Sequence, residues 1–190
     1  MDVLDAIRER RSVGLLADEP VSKEQIERIL EAGHWAPCHH LTEPWRFYVM
    51  LGEGRRVLAD AYAEIALDQA RAAGTAEDEQ NIRTKQGAKA YRAPAVIAVA
   101  VSPSDKPQVV RVEEFAAVHA AVQNMLLAAH AIGLGAIWRT GEPMYHPIMR
   151  KAFGLAEGEE LAALLYVGVP KLPLPTKKRK PVQDKTVWIE

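Results

Sequence analysis

The sequence has a single cysteine, Cys38, so no intramolecular disulfide can brace the fold. A lone thiol fits a reducing compartment, and a cytoplasmic location is expected. An excess of one charge is also missing. The 24 basic and 25 acidic residues leave a formal net charge of −1, which gives nucleic acid no general electrostatic purchase. No apolar core follows the first charges: residues 1–12 alternate acids, bases and aliphatics, unlike a secretory signal peptide. The longest apolar stretch, residues 115–138, is interrupted by His119, Gln123, Asn124 and His130 and by Gly133 and Gly135. It reads as a buried helix and then a strand, so no membrane partner is expected. No internal repeat is present.

What is present suits one domain over residues 1–190, since 48% of the 190 residues are hydrophobic. Asp2 can cap a short helix with Val3, Leu4 and Ile7 on one face, and Arg8, Arg10 and Arg11 crowd its C-terminal end. Ser22 and Gln25 have the spacing of a capping box, and open a helix carrying Ile26, Ile29 and Leu30 that ends before Pro37. Strands are expected over residues 46–51, 94–101, 135–139 and 161–169. Helices are expected over 55–73, 113–132 and 147–153. Residues 74–86 are polar with little periodicity and read as a loop or a solvent-facing helix start. From Pro170 onward four prolines predict an extended tail. Mixed helices and strands make the fold class α+β. The tail ends in Val187-Trp188-Ile189, which favours docking on another surface such as a second copy of the chain.

The chemistry is carried by few candidates. His34, His39 and His40 lie beside Cys38, but the companion pair of a zinc site is missing, and His119 with His130 has no supporting ligand pattern. No metal is expected. Cys38 near histidines could form a thiolate–imidazole pair, yet no nucleophile elbow surrounds it. Gly52-Glu53-Gly54 lacks a third glycine and Gly133-Leu134-Gly135 follows a helix, so neither is a dinucleotide loop.

Two basic segments remain, Arg10-Arg11-Ser12 near one end and Lys177-Lys178-Arg179-Lys180 near the other. Guanidinium forks and a hydroxyl suit a phosphate, although on spacing alone such runs are more often solvated charge. Between them lie ring-rich segments, residues 34–45 and Trp138-Arg139-Thr140-Gly141. Rings, donors and phosphate-ready ends suit a phosphorylated planar heterocycle such as flavin mononucleotide (FMN). Tryptophans at such spacing are also ordinary core fillers.

The order of motifs resembles the nitroreductase family of flavin enzymes, in its small single-domain branch. Arg10-Arg11-Ser12-Val13, Pro20-Val21, Ala32-Gly33-x-x-Ala36-Pro37, Pro44-Trp45-x-Phe47, Gly133-Leu134-Gly135, Val167-Gly168-x-Pro170 and Lys177-x-Arg179-x-Pro181 carry the resemblance over nearly the whole chain. It implies a central, mostly antiparallel sheet surrounded by helices, in an intertwined homodimer whose C-terminal extension, residues 170–190, docks on the partner subunit.

The resemblance also implies FMN, with NADH or NADPH as electron donor and a nitroaromatic, quinone-like or related small acceptor, in a ping-pong sequence. Arg10, Arg11 and Ser12, with Lys177 and Arg179, match the phosphate-binding positions. Trp35 and His39 match cofactor contacts, and Trp138, Arg139 and Thr140 match the late flavin-binding segment. The chemistry is the cofactor's, so no catalytic residue is assigned; His39 and His40 are the candidate proton donors. Cys38, Leu41 and Glu43 replace polar residues common in the family, and Trp35 stands where the small branch often has Arg. A flavin-binding sensor or carrier with little turnover is the alternative.

Overall fold

The structure is a computed structural model that describes residues 1–75, 78–174 and 178–190. Its helices are α1 (Val3–Glu9), α2 (Lys23–His34), α3 (Arg56–Ala73), α4 (Glu79–Gly87), α5 (Arg111–Ala131), α6 (Glu142–Tyr145) and α7 (Pro147–Ala152). Its strands are β1 (Trp45–Leu51), β2 (Ala95–Val101), β3 (Gly135–Arg139) and β4 (Glu160–Gly168). They form one antiparallel sheet in the order β1-β2-β4-β3, the α+β arrangement expected. No helix among the described residues is long and apolar enough to cross a membrane.

The sheet is covered on both faces. Every residue of β2 is fully buried, and β4 is nearly so, which explains their continuous apolar sequences. One face packs α2 and α5 over Ile97, Val99, Leu165 and Val167. The other packs α3 and α7 over Val96, Ala98, Leu164 and Tyr166. Alternation along each strand assigns neighbouring residues to opposite faces. At Gly33 an added Cβ would lie 2.7 Å from Met125 Cγ, so glycine lets α2 press against α5.

Local signals hold the ends of the elements. Asp2 accepts a hydrogen bond from Leu4 N at 2.9 Å, and Ser22 with Gln25 makes both bonds of the capping box. Gly133, with φ 83°, ends the turn after α5 and leads into β3.

Residues 74–86 gave no periodic signal, yet Asp78 caps α4 and only Ile82 and Gly87 of that helix are buried. One buried aliphatic contact is too little to make a pattern. The apolar face of α1 is another difference. Val3, Leu4 and Ile7 are 62%, 56% and 51% exposed, and Ala6 is the residue that α1 buries in its own chain. In the tail, Leu16 bridges Pro170 and the N–H of Lys171 donates to Leu15 O at 3.1 Å. Beyond it Val187, Trp188 and Ile189 are all exposed.

Candidate active site

The first helix ends at Arg10, whose ψ of 133° turns the chain out of the helix. Ser12 then forms a parallel bridge to Ala136 and the N–H of Val13 donates to Ala136 O at 3.0 Å, so the segment is fixed along the edge strand β3. The C-terminal tail approaches from the other side. Arg8, Arg10, Arg11, Ser12, Lys178 and Arg179 line a single cleft of about 620 Å³. Arg11 is oriented by donating to Arg8 O at 2.5 Å and to Arg10 O at 2.8 Å. Arg10 is held below the ordinary arginine value, first by burial and then by the charges of Arg11 and Arg179. Its Nε is buried without a hydrogen-bond partner among the described residues. A buried donor without an acceptor is unfavourable. An anion with several oxygens would relieve both the unpaired donor and the mutual repulsion.

A second cavity, about 180 Å³, opens at the end of β3 and is lined by Tyr62, Lys89, Arg139, Thr140 and Tyr166 among others. Arg139 lies 5.5 Å over the Tyr166 ring, and its Nε is also buried without a partner among the described residues. The two phenol oxygens of Tyr62 and Tyr166 are 3.3 Å apart. Burial, then the neighbouring Tyr62, pushes the Tyr166 phenol well above its ordinary value, so it stays protonated. Lys89 is shifted below the ordinary lysine value by burial first and then by Arg92 and Lys85. The cavity is positively charged and rich in donors.

The third group surrounds the 3-10 turn His39–Leu41. His39 Nδ1 donates to Glu113 Oε2 at 2.8 Å and its ring stacks on His40 at 3.9 Å. Thr42 Oγ1 donates to the buried Glu114 carboxylate at 2.6 Å, and Ser104 N donates to the same carboxylate at 3.0 Å. Two neighbouring carboxylates of α5 therefore pin this loop. His40, Leu41 and Glu43 have φ of 57°, 50° and 47°, a left-handed conformation that costs non-glycine residues about 1 kcal/mol or more each. Trp35, at the end of α2, donates its indole N–H to Glu31 Oε1 at 2.7 Å and leaves its ring 77% exposed.

The sequence-expected residues thus fall into separate places. Arg10, Arg11, Ser12 and Arg179 meet in the cleft, and Lys177 lies outside the described residues. Arg139 and Thr140 reach the neighbouring cavity. Trp138 faces the opposite side of the sheet, where its N–H donates to Ala162 O at 3.3 Å and its ring lies 5.5 Å from His119. Strand alternation forces that split between neighbours. Trp35, His39 and His40 sit with the start of β1, whose Trp45 pairs with Val101, itself paired with Glu160; Ser12 bridges Ala136, which pairs with Val167. Those rows are about 23 Å apart along β4 at about 3.3 Å per residue, so the groups do not meet within one chain. Sequence reading missed Lys89, Tyr62 and Tyr166, which are distant in sequence and carry no motif. Lys178 belongs to a run whose spacing does not say which members face inward. Among the described residues no three His, Cys, Asp or Glu side chains gather as metal ligands.

A family model described as the nitroreductase family matches residues 7–169. The chain belongs to the nitroreductase family. It is similar to a protein of Escherichia coli (strain K12) named "Putative NAD(P)H nitroreductase YdjA", 36% identical over 181 residues that cover 95% of each chain. Among solved structures it is similar to a nitroreductase-like family protein from Bacillus cereus, with TM-score 0.84 and 32% identity over 100% of this chain and 97% of that one. It is also similar to a "putative nitroreductase in complex with fmn" from Desulfovibrio desulfuricans, with TM-score 0.74 and 31% identity over 100% and 98% of the two chains. Within this nitroreductase fold the Val167-Gly168-x-Pro170 motif has a packing reason. A Cβ on Gly168 would lie 2.8 Å from Pro94 Cδ, so glycine lets the end of β4 pass the proline that precedes β2.

Proposed function

We propose that this nitroreductase is a homodimeric, cytoplasmic FMN-dependent oxidoreductase that uses NADH or NADPH to reduce nitroaromatic, quinone-like or related small acceptors. The observation that carries the cofactor assignment is the cleft where Arg10, Arg11, Ser12, Lys178 and Arg179 converge around an unpaired, buried Arg10 Nε. Arg10 and Arg179 bind the two faces of a phosphate monoester, and Ser12 adds a hydroxyl. The fixed path from Ser12 along β3 leads the rest of the ligand toward Arg139 and Thr140. There Arg139 Nε and the Lys89 ammonium are donors for the polar edge of the flavin ring. When bound, FMN supplies the two-electron chemistry, taking hydride from the nicotinamide and passing electrons to the acceptor in ping-pong order.

The chain's own part is to hold and tune. Lys89, Arg139 and nearby Arg92 place positive charge in one corner, which favours added electron density there. His39 and His40 stay candidate proton donors. They reach a flavin only if a second copy of the chain brings its loop to the cleft of the first. The exposed Trp35, Leu41, Val187, Trp188 and Ile189 and the bare apolar face of α1 support such a dimer, with residues 170–190 as the docking extension of a single FMN-binding domain.

The test is spectroscopic. Purified protein loaded with FMN is mixed with NADH or NADPH in a stopped-flow instrument. Bleaching of the yellow colour, and its return on adding a nitroaromatic or quinone, is the expected result. Flavin that stays oxidised over minutes with both nucleotides overturns the enzyme reading in favour of a binding protein. A monomeric mass by light scattering with flavin retained overturns the dimer.

A further inference from the structure

A third positively charged basin has Arg139 as one wall. It has a volume of about 610 Å³, and Arg55, Arg92, Arg139 and Lys171 line it with Asp18 and Tyr91. Four cations thus face one carboxylate in a chain whose net charge is −1. Arg92 and Lys171 are exposed, whereas Arg55 and Arg139 are half-buried and held in place. Arg55 donates from Nε to Gly52 O at 3.1 Å and from Nη1 to Ala93 O at 2.6 Å, and its guanidinium stacks 4.8 Å over the Tyr91 ring. It is fixed and aimed before any ligand arrives. Arg139 is anchored over Tyr166 with its Nε unpaired. None of these four cations has an ion pair with a carboxylate among the described residues, although the same chain pairs Arg46, Arg83 and Arg111.

The position is as informative as the charge. Gly14 is a wall of the basin and follows Ser12 of the phosphate cleft by two residues; a Cβ at Gly14 would sit 3.8 Å from Arg139 Nη2. Arg92 and Arg139 are common walls of this basin and of the cavity holding Thr140, Lys89 and Tyr166. Four cations around one carboxylate, two of them held in place, are suited beside a redox site to a substrate that brings its own negative charge.

We infer that the Arg55–Arg92–Lys171 basin is a subsite for the anionic group, phosphate or carboxylate, of a substrate that exchanges electrons with the flavin. The inference rests on the flavin reading above. It names the class of substrate preferred: a nucleotide with an extra phosphate on the donor side, or a carboxylate-bearing nitroaromatic on the acceptor side. The planar guanidinium of Arg55 supplies the fork, and Arg92 and Lys171 supply charge that can follow ligands of different length.

The experiment uses FMN-loaded protein, as the parent and as a Lys171→Gln variant. FMN titration comes first. A parent that takes up no FMN overturns the flavin reading, whereas loaded protein allows the basin to be judged by itself. Binding is then measured by calorimetry, without electron transfer, for adenosine 2′-phosphate against adenosine and for benzoate against benzamide. Kinetics follow with NADPH against NADH and with 4-nitrobenzoate against nitrobenzene. The anionic member of at least one pair is expected to bind the parent better, and the variant to lose about tenfold or more of that preference in both binding and kcat/KM. The pair that responds identifies the source of the anion. Preference ratios that are the same for parent and variant in both pairs, with FMN bound to each, overturn the basin as a substrate site.

Discussion

Arg10 and Arg179 stand at opposite ends of the chain and line one cleft, where the charge of Arg179 helps hold Arg10 below its ordinary pKa. Burial of Arg10 and the charge of Arg11 act in the same direction and more strongly. The shift records burial first and repulsion within the cleft second. A dianion placed there converts that repulsion into attraction. Arg10→Ala or Arg179→Ala should weaken FMN binding by about 1.5–3 kcal/mol, or about 10- to 150-fold. Superimposable FMN titrations of variant and parent would remove the residue from the site.

The loop carrying His39 and His40 depends on a buried carboxylate. Glu114 is 1% exposed and accepts from Thr42 Oγ1 and Ser104 N. Thr42→Val keeps the shape but removes one donor. It should lower stability by about 1–3 kcal/mol in urea unfolding. An unchanged midpoint would mean that water replaces the hydroxyl without loss and that Thr42 does not hold the loop.

How much of this was legible in the sequence depends on the range of the interaction. The Ser22/Gln25 box announced α2 because capping bonds are local. Continuous aliphatic runs announced β2 and β4 because both faces of those strands are buried. Helix α4 stayed open between a loop and a solvent-facing helix start because it buries only Ile82 and Gly87. The apolar face of α1 was visible, yet Val3, Leu4 and Ile7 stay more than half exposed, since its periodicity records a surface to be covered and not what covers it. At the site, Arg10 and Arg179 were found as charged runs flanking ordered motifs. Lys89, Tyr62 and Tyr166 come together only through the packing of α3 and the sheet, which no spacing announces.

Gly168 tests the close approach at the end of β4. Its Cβ in Gly168→Ala would meet Pro94 Cδ at 2.8 Å, Pro94 Cγ at 3.0 Å and Leu16 Cβ at 3.2 Å. A proline ring cannot swing aside as a long side chain can. The substitution should destabilise by about 1–3 kcal/mol, read as a lowered urea midpoint. A midpoint equal to the parent's would show that the strand end shifts freely.

Glu159 provides the pH dependence. Its carboxyl lies below the ordinary value, first through a hydrogen bond from Ser102, then through the N–H of Ala156, and also through Arg46 at 3.1 Å. A depressed carboxyl contributes stability above its unfolded-state pKa and loses that contribution as pH falls through the folded value. The melting temperature of the parent should exceed that of Glu159→Gln at pH 7, and the gap should close as the pH falls below the ordinary carboxylate range. A gap that is constant from pH 7 to pH 3 would show that charge on Glu159 contributes nothing.

The central claim is that the two basic ends hold a phosphate. Its most direct test is the affinity of apoprotein for FMN beside riboflavin, which has the same ring and lacks the phosphate, followed by quenching of flavin fluorescence. Two charge-assisted contacts predict FMN binding about 100-fold tighter or more, with the gap narrowing in Arg179→Ala. Equal affinity for FMN and riboflavin in the parent protein would contradict the account.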